Sequence, residues 1–179
     1  SYSAAALSFQ LPEISNPVIF TGSQRSPDRP SSDAHLNLEG AAKAAMSDLG
    51  EISIAMHETT DDLNVAIWRG NRTRKNHSSK RDAFTSLNDE PIGIISDKIE
   101  WKGKYRPVCE KTVIKSGFDE KIALIWAHPG FNPEDWENIT SSKKGVVIAG
   151  TGLGHINSNL LESIGKTAKD LSLIHISEP

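Results

Sequence analysis

The sequence predicts an α/β protein, and three observations carry the prediction. A strand–helix–strand succession over Val18–Met56 is the order that lays a helix across a parallel sheet. A second strand–helix–strand–helix run fills Lys121–Lys169. Between them Ser116–Glu120, SGFDE, is polar and contains glycine, which predicts a linker at 116–120 between a domain over 1–115 and a second one starting at 121.

Each element has a local reason. Ser3–Leu11 reads as a helix because Ala4, Ala5, Ala6 and Leu7 are strong helix formers, and Pro12 stops it. Pro17–Gly22 is a short apolar run ending in glycine, the mark of a buried strand. Ser23–Ser32 is a loop with two prolines and two arginines. Ser32 or Asp33 is expected to cap a helix that runs to about Leu49 and stops at Gly50, packing through Leu36, Ala41, Ala44 and Ala45. Ile52–His57 and Asn64–Arg69 read as buried strands. Pro91–Tyr105 differs: IGIISD and KIEWKGKY are short strands around turn residues, which predicts a hairpin or meander. Lys121–His128 is a strand, and Pro133 suits the first turn of a helix to Ile139. Gly145–Ala149 is a strand, Gly150–Gly154 a glycine-rich turn and Asn157–Lys169 a helix.

Composition narrows the function. With 179 residues, 37% hydrophobic and 24% charged, the chain fits an ordinary globular protein with one core or one and a half domains. A formal net charge of −3 argues against a dedicated nucleic-acid binder. One cysteine, Cys109, excludes an internal disulfide and suits a cytoplasmic location. No run approaches the ~20 apolar residues that span a bilayer. Ser1–Leu11 has neither the basic start nor the small-residue cleavage site of a signal peptide.

Most motifs have ordinary readings. AGTGLGH, Ala149–His155, lacks the G-x-G-x-x-G spacing of a dinucleotide site. His57-Glu58 opens like a zinc-protease helix, but Asp61 stands at the second histidine's place, so no metal site is expected. His35, His77 and His128 are scattered and read as structural. There is no G-x-S-x-G elbow, and Cys109 has no histidine near it in sequence. Arg69, Arg72, Arg74, Lys75, Lys80 and Arg81 form a basic run that, on charge alone, reads as a solvated loop. The loop TGSQRSPDRPSSDA follows a candidate strand at the end where α/β sheets place their sites, although its residues alone suit a surface loop.

Two blocks change that reading. PVIFTGSQRSPDRPSSDAHLNLEGAA, Pro17–Ala42, and RGNRTRKNHSSKRDAFTSLN, Arg69–Asn88, together resemble the asparaginase-type amidohydrolases. RKNHSSKRDAF and GTGLGH are more similar to the D subunits of archaeal glutamyl-tRNA(Gln) amidotransferases within that family. The resemblance covers about Ser1–Asp170. It implies an asparaginase-like fold, with 1–115 as the C-terminal part of the N-terminal α/β domain and 121–170 as the start of a smaller second one.

The resemblance also assigns residues. It makes Lys75, nine positions before Phe84, a catalytic lysine hydrogen-bonded to a threonine and an aspartate. A threonine hydroxyl needs a nearby base, and desolvation of a partly buried lysine disfavours its ammonium form. Ser23 would line the substrate pocket through its backbone carbonyl, and His155 would approach the neighbouring subunit's active site. The implied reaction releases ammonia from glutamine through an acyl-enzyme, with no metal or cofactor for that step. A partner, the amidotransferase's E subunit, would use ATP and magnesium to amidate Glu-tRNA(Gln). Homodimers are implied as well. Two alternatives stay open: an L-asparaginase acting on asparagine, and an inert fragment.

The expectation of a fragment rests on both ends. Family members carry a T-G-G-T-I-type motif and a Thr-Asp pair followed by Thr-Met just before the helix that SYSAAALSF resembles; neither motif is in these residues. Loss of those threonines and the aspartate predicts an inactive chain. Leu171, Leu173, Ile174 and Ile176 in LSLIHISEP suit a strand, but the same string matches the translation of a transposase sequencing adapter. Leu171–Pro179 is therefore expected to be a non-native tail.

Overall fold

The computed structural model describes residues 1–169 and the backbone of 172–176. The chain forms two compact units, Ser1–Gly117 and the residues from Phe118 onward.

The first unit is built around a five-stranded sheet. Its elements, in chain order, are α1 (Tyr2–Gln10), β1 (Val18–Phe20), α2 (Ala34–Ala45), β2 (Ile52–His57), β3 (Val65–Arg69), β4 (Thr73–Lys75), β5 (Phe84–Ser86), β6 (Gly93–Ile95) and β7 (Ile99–Trp101). The sheet order is β1-β2-β3-β6-β7, and β4 with β5 forms a separate ribbon. The strand–helix–strand reading holds for β1 and β2, which pair in parallel across α2 with Val18 opposite Ile52. The other three pairings are antiparallel. The link 58–64 is too short for the helical crossover that a parallel β3 would need. The expected hairpin in Pro91–Tyr105 is β6–β7.

Every residue of β2 is buried because both faces of the sheet are covered. Ile52, Ile54 and Met56 join Ala4, Ile14, Ala66 and Trp68 on one side. Ala55 joins Ala41, Ala44, Val65 and Ile67 on the other. The buried stripe of α2 is Asn37, Gly40, Ala41 and Ala44, at helical spacing. Of the expected face, Ala41 and Ala44 are buried and Leu36 is partly buried, while Ala45 is exposed. Gly40 is required by proximity: a Cβ there would lie 2.8 Å from Val65 Cβ. α2 ends at Ala45 rather than near Leu49. Ser47 Oγ donates to Ala44 O and accepts from Leu49 N, a local bonding pattern that competes with continued helix.

The second unit holds β8 (Ile122–Trp126), α3 (Pro133–Thr140), β9 (Gly145–Ala149), α4 (Leu161–Thr167) and β10 (Ser172–Ile176). The strands pair in parallel in the order β10-β9-β8. Asn132 and Asp135 close a reciprocal capping box on α3, with Pro133 in its first turn. The helix expected over Asn157–Lys169 is a 3-10 turn at Ser158–Leu160 followed by α4. Trp136 anchors this core beside Ile125, Phe131, Val146 and Leu160, and its indole N–H donates to Thr167 Oγ1 at 2.9 Å. The other face of β8 is bare: Ile122, Leu124 and Trp126 are 46%, 61% and 53% exposed. The adapter reading of Leu171–Pro179 falls largely outside the described residues, where only the backbone of β10 is placed.

Candidate active site

The candidate site forms where β1 runs out. Thr21, the first residue past β1, donates its hydroxyl to Ala55 O at 2.9 Å, which pins the loop start to the neighbouring strand. The loop then folds over Asp33. The backbone N–H groups of Gln24 and Arg25 donate to the Asp33 carboxylate at 2.9–3.0 Å. Asp33 stands at the N-cap position of α2, as expected, but its side chain makes no capping bond to the helix. It serves the loop instead.

One turn into α2, Asn37 joins this loop to β2. Its amide nitrogen donates to Gly22 O at 3.0 Å and to Asp33 Oδ2 at 2.9 Å. Its amide oxygen faces His57 Nδ1 at 2.9 Å. His57 ends β2, and its Nε2 lies 3.0 Å from Asp62 Oδ1. Asp62 pairs with Arg81, whose other nitrogen donates to Ser31 O at 2.7 Å. Asp33, Asn37 and His57 are fully buried, so the chain of polar contacts satisfies groups that would otherwise be costly. Burial works to raise the Asp33 pKa, but the N–H donors of Gln24 and Arg25, its own N–H and the charge of His57 together hold it below the usual carboxylate range. Asp62 is also held low, first by its hydrogen bond from Arg81 and then by His57.

The basic block contributes a strand pair rather than a loop alone. β4 pairs with β5 in a register that sets Lys75 opposite Phe84. Lys75 Nζ donates to Gln24 Oε1 at 2.8 Å and lies 5.6 Å from the centroid of the Phe84 ring. Phe84 packs in turn on the core beneath the sheet. Lys75 is exposed, not partly buried.

Ser23, Gln24, Lys75 and Phe84 line one cavity of about 240 Å³, with Phe20 and Met56. Two of the three residues singled out in sequence thus share a site. The third, His155, belongs to the second unit. It closes the turn Thr151–His155, where its N–H donates to Thr151 O at 2.8 Å and Thr151 N–H donates back to His155 O at 3.0 Å. Gly152 and Gly154 take positive φ there, and a Cβ on Gly150 would meet the Gly154 backbone at 2.8 Å. Among the described residues no group of three or more His, Cys, Asp or Glu could hold a metal ion. A larger cavity, about 500 Å³, lies at the other end of β2 and shares no lining residue with this one.

Sequence reasoning missed Gln24, Asn37, His57 and Asp62. The first lies inside the Pro17–Ala42 block but carries no signal of its own there. Asn37 lies in that block too; like His57 and Asp62 it is an ordinary residue type, and its link to His57 spans twenty residues.

A sequence model of the family described as "Asparaginase, N-terminal" matches residues 1–107. The chain belongs to the asparaginase family. Among its asparaginase-family relatives are proteins named as the D subunit of glutamyl-tRNA(Gln) amidotransferase. The one from Thermoplasma volcanium is 42% identical over 170 residues, covering 95% of this chain and 42% of that protein. The one from Pyrococcus furiosus is 45% identical over 174 residues, covering 94% and 40%. The chain spans about two fifths of the length of these curated relatives. In structure it resembles the thermostable L-asparaginase from Thermococcus kodakarensis, with a TM-score of 0.88 and 28% identity over 99% of this chain and 53% of the other. The fold also matches L-asparaginase I from Vibrio cholerae, with a TM-score of 0.83, 24% identity and coverage of 99% and 55%. An asparaginase-like α/β fold is thereby established for these residues.

Proposed function

We propose that these residues belong to a glutamine amidohydrolase subunit that supplies ammonia for converting Glu-tRNA(Gln) to Gln-tRNA(Gln). The observation that carries this reading is the identity of 39–45% to D subunits of that amidotransferase from several archaea. The shared cavity of Ser23 and Lys75 supports it. On this reading the first unit is part of the N-terminal domain and the second begins the smaller C-terminal domain. Lys75 relays a proton during attack by a threonine, with Gln24 holding its amine. His155 would face a neighbouring subunit's site in a homodimer. The companion is the amidotransferase's E subunit, which would use ATP and magnesium; the amidohydrolase step itself would need neither. The location would be cytoplasmic, and among the described residues no helix is long and apolar enough to cross a membrane.

The catalytic threonines and aspartate that the reading requires are not among these 179 residues. We therefore expect the polypeptide of these residues alone to hydrolyse neither amide. The test places these residues in a polypeptide of the relatives' length and measures ammonia release from glutamine and asparagine, with and without the companion. Glutamine turnover stimulated by the companion, and reduced about 10²–10⁴-fold by Lys75→Ala, is the expected result. Asparagine turnover indifferent to the companion would replace it with the L-asparaginase reading, which the likeness to the Thermococcus kodakarensis enzyme favours. No turnover of either amide leaves the inert reading.

A further inference from the structure

The larger cavity has a charge pattern that the proposed amide chemistry does not use. It opens at the N-terminal end of β2, and its lining residues include four cationic ones, Arg69, Arg72, Lys104 and Arg106, against one acidic one, Glu51. The carboxylate is already spent. Glu51 Oε2 accepts from Arg69 Nε at 3.0 Å, and Glu51 Oε1 accepts from Arg106 N–H at 2.9 Å. Arg69 is spent too, since it also donates to Asp89 Oδ2 at 2.7 Å and to the carbonyl of Lys104. That leaves three cations with donors to spare. Among the described residues the Arg106 guanidinium uses only Nη1, on Pro12 O at 2.8 Å. Among the described residues the sole ion contact of Arg72 is a long one, 3.7 Å to Asp89. Lys104 lines the cavity, and its ammonium joins no ion pair among the described residues.

We propose that this cavity binds a phosphate ester through Arg72, Lys104 and Arg106. Three cations on two segments, Arg72 on one and Lys104 with Arg106 on the other, match the several oxygens and multiple charge of a phosphate better than the single charge of a carboxylate, and the guanidinium fork suits phosphate in particular. Arg69 is the fixed strut: bonded to Glu51, Asp89 and the 104 carbonyl, it holds the cationic segments in place without needing the ligand. About 500 Å³ exceeds what a bare phosphate fills and lies within the range of small-molecule sites. Tyr105 supplies a firm wall for the remainder, its ring 4.2 Å from that of Trp101 and its hydroxyl bonded to Asp48 at 2.7 Å. The shared chemistry has two sources, a free phosphate ester and the phosphodiester backbone of an RNA strand.

The test is calorimetric titration of the purified chain with inorganic pyrophosphate, with ADP and with a single-stranded RNA of about 12 nucleotides. Saturable binding of pyrophosphate is expected, and the double variant R72E/K104E should weaken it at least about tenfold. K98E/K111E, two exposed lysines outside the cavity, makes the same change in net charge and should alter binding less than about twofold. ADP binding as well as or better than RNA assigns a small phosphate ester. Tighter binding of RNA with a steep loss between about 50 and 200 mM salt assigns the backbone. Equal losses in the two double variants, or no saturable binding of any probe, overturns the proposal. If R72E/K104E loses its cooperative unfolding transition, Lys104→Gln keeps the side-chain stem and should still weaken pyrophosphate at least about threefold; no change there counts against the site.

Discussion

At Asn37 one amide holds three segments: Gly22 and Asp33 on its nitrogen, His57 on its oxygen. Asn37→Ala removes all three contacts and leaves the buried His57 Nδ1 without its hydrogen-bond partner, while Asp33 keeps the Gln24 and Arg25 N–H donors. We expect a loss of about 1–3 kcal/mol, read as a lower urea midpoint. Asp33 carries a pH signature. Its folded pKa lies below the ordinary value of 3.8, so its contribution is complete above the unfolded pKa and is lost as pH falls through the folded one. Stability should therefore fall as pH drops below about 4, and Asp33→Asn should flatten that limb while lowering stability at neutral pH. Lys75 and Ser23 were legible only through resemblance to a family, since a basic run and a serine after a glycine say little alone. Asp33 was read as a helix cap because its local sequence fits one; the fold uses its carboxylate for the loop behind it. His57 entered the sequence reading only through a zinc-protease pattern that Asp61 breaks; its partners in the fold come from a helix twenty residues upstream and a loop five residues downstream.

Among the elements, α2 packs closely against β3. The Cα of Gly40 faces Val65, whose β-branched side chain has no easy alternative rotamer. Gly40→Ala gains roughly 1 kcal/mol of helix propensity but forces an overlap, and overpacking of this kind costs about 1–3 kcal/mol. A net fall in the thermal midpoint is expected, where a free helix would show a rise. β8 poses the opposite case. Its exposed row of Ile122, Leu124 and Trp126 is an aggregation liability, so Leu124→Lys should raise solubility with an unchanged far-ultraviolet spectrum. Long apolar elements such as β2 were legible from their runs of Ile, Ala and Met. The ribbon of β4 and β5 was not, because three-residue strands of mixed polarity carry too little periodicity to stand out. The direction of β3 was recoverable only from the length of the link before it.

For the whole molecule, the alternation of strands and helices was enough to give an α/β class, and the residues between the two runs are exposed from Cys109 to Ile122. Gly117 takes a φ of 99° there with open space around it. Limited trypsin treatment should cut early at Lys115 or Lys121, which mass spectrometry of the first fragments will show. What the sequence could not supply was the second cavity. Its walls come from residues near 8–12, 51, 69–72 and 104–106, and only the sheet brings them together.

The one parallel pairing in the first unit also sets an order of events. β2–β3 and β6–β7 close over short links, so their ends meet quickly and at small entropic cost. β1 must wait until the intervening loop and α2 are in place before it can dock beside β2. It is also three residues long and at the sheet's edge. The strand that launches the candidate active-site loop is thus the last to arrive and the first to leave. Under native conditions its amides should exchange with deuterium ahead of those of β2 and β3, and the cavity around Lys75 would open by that local departure while the rest of the sheet stays intact.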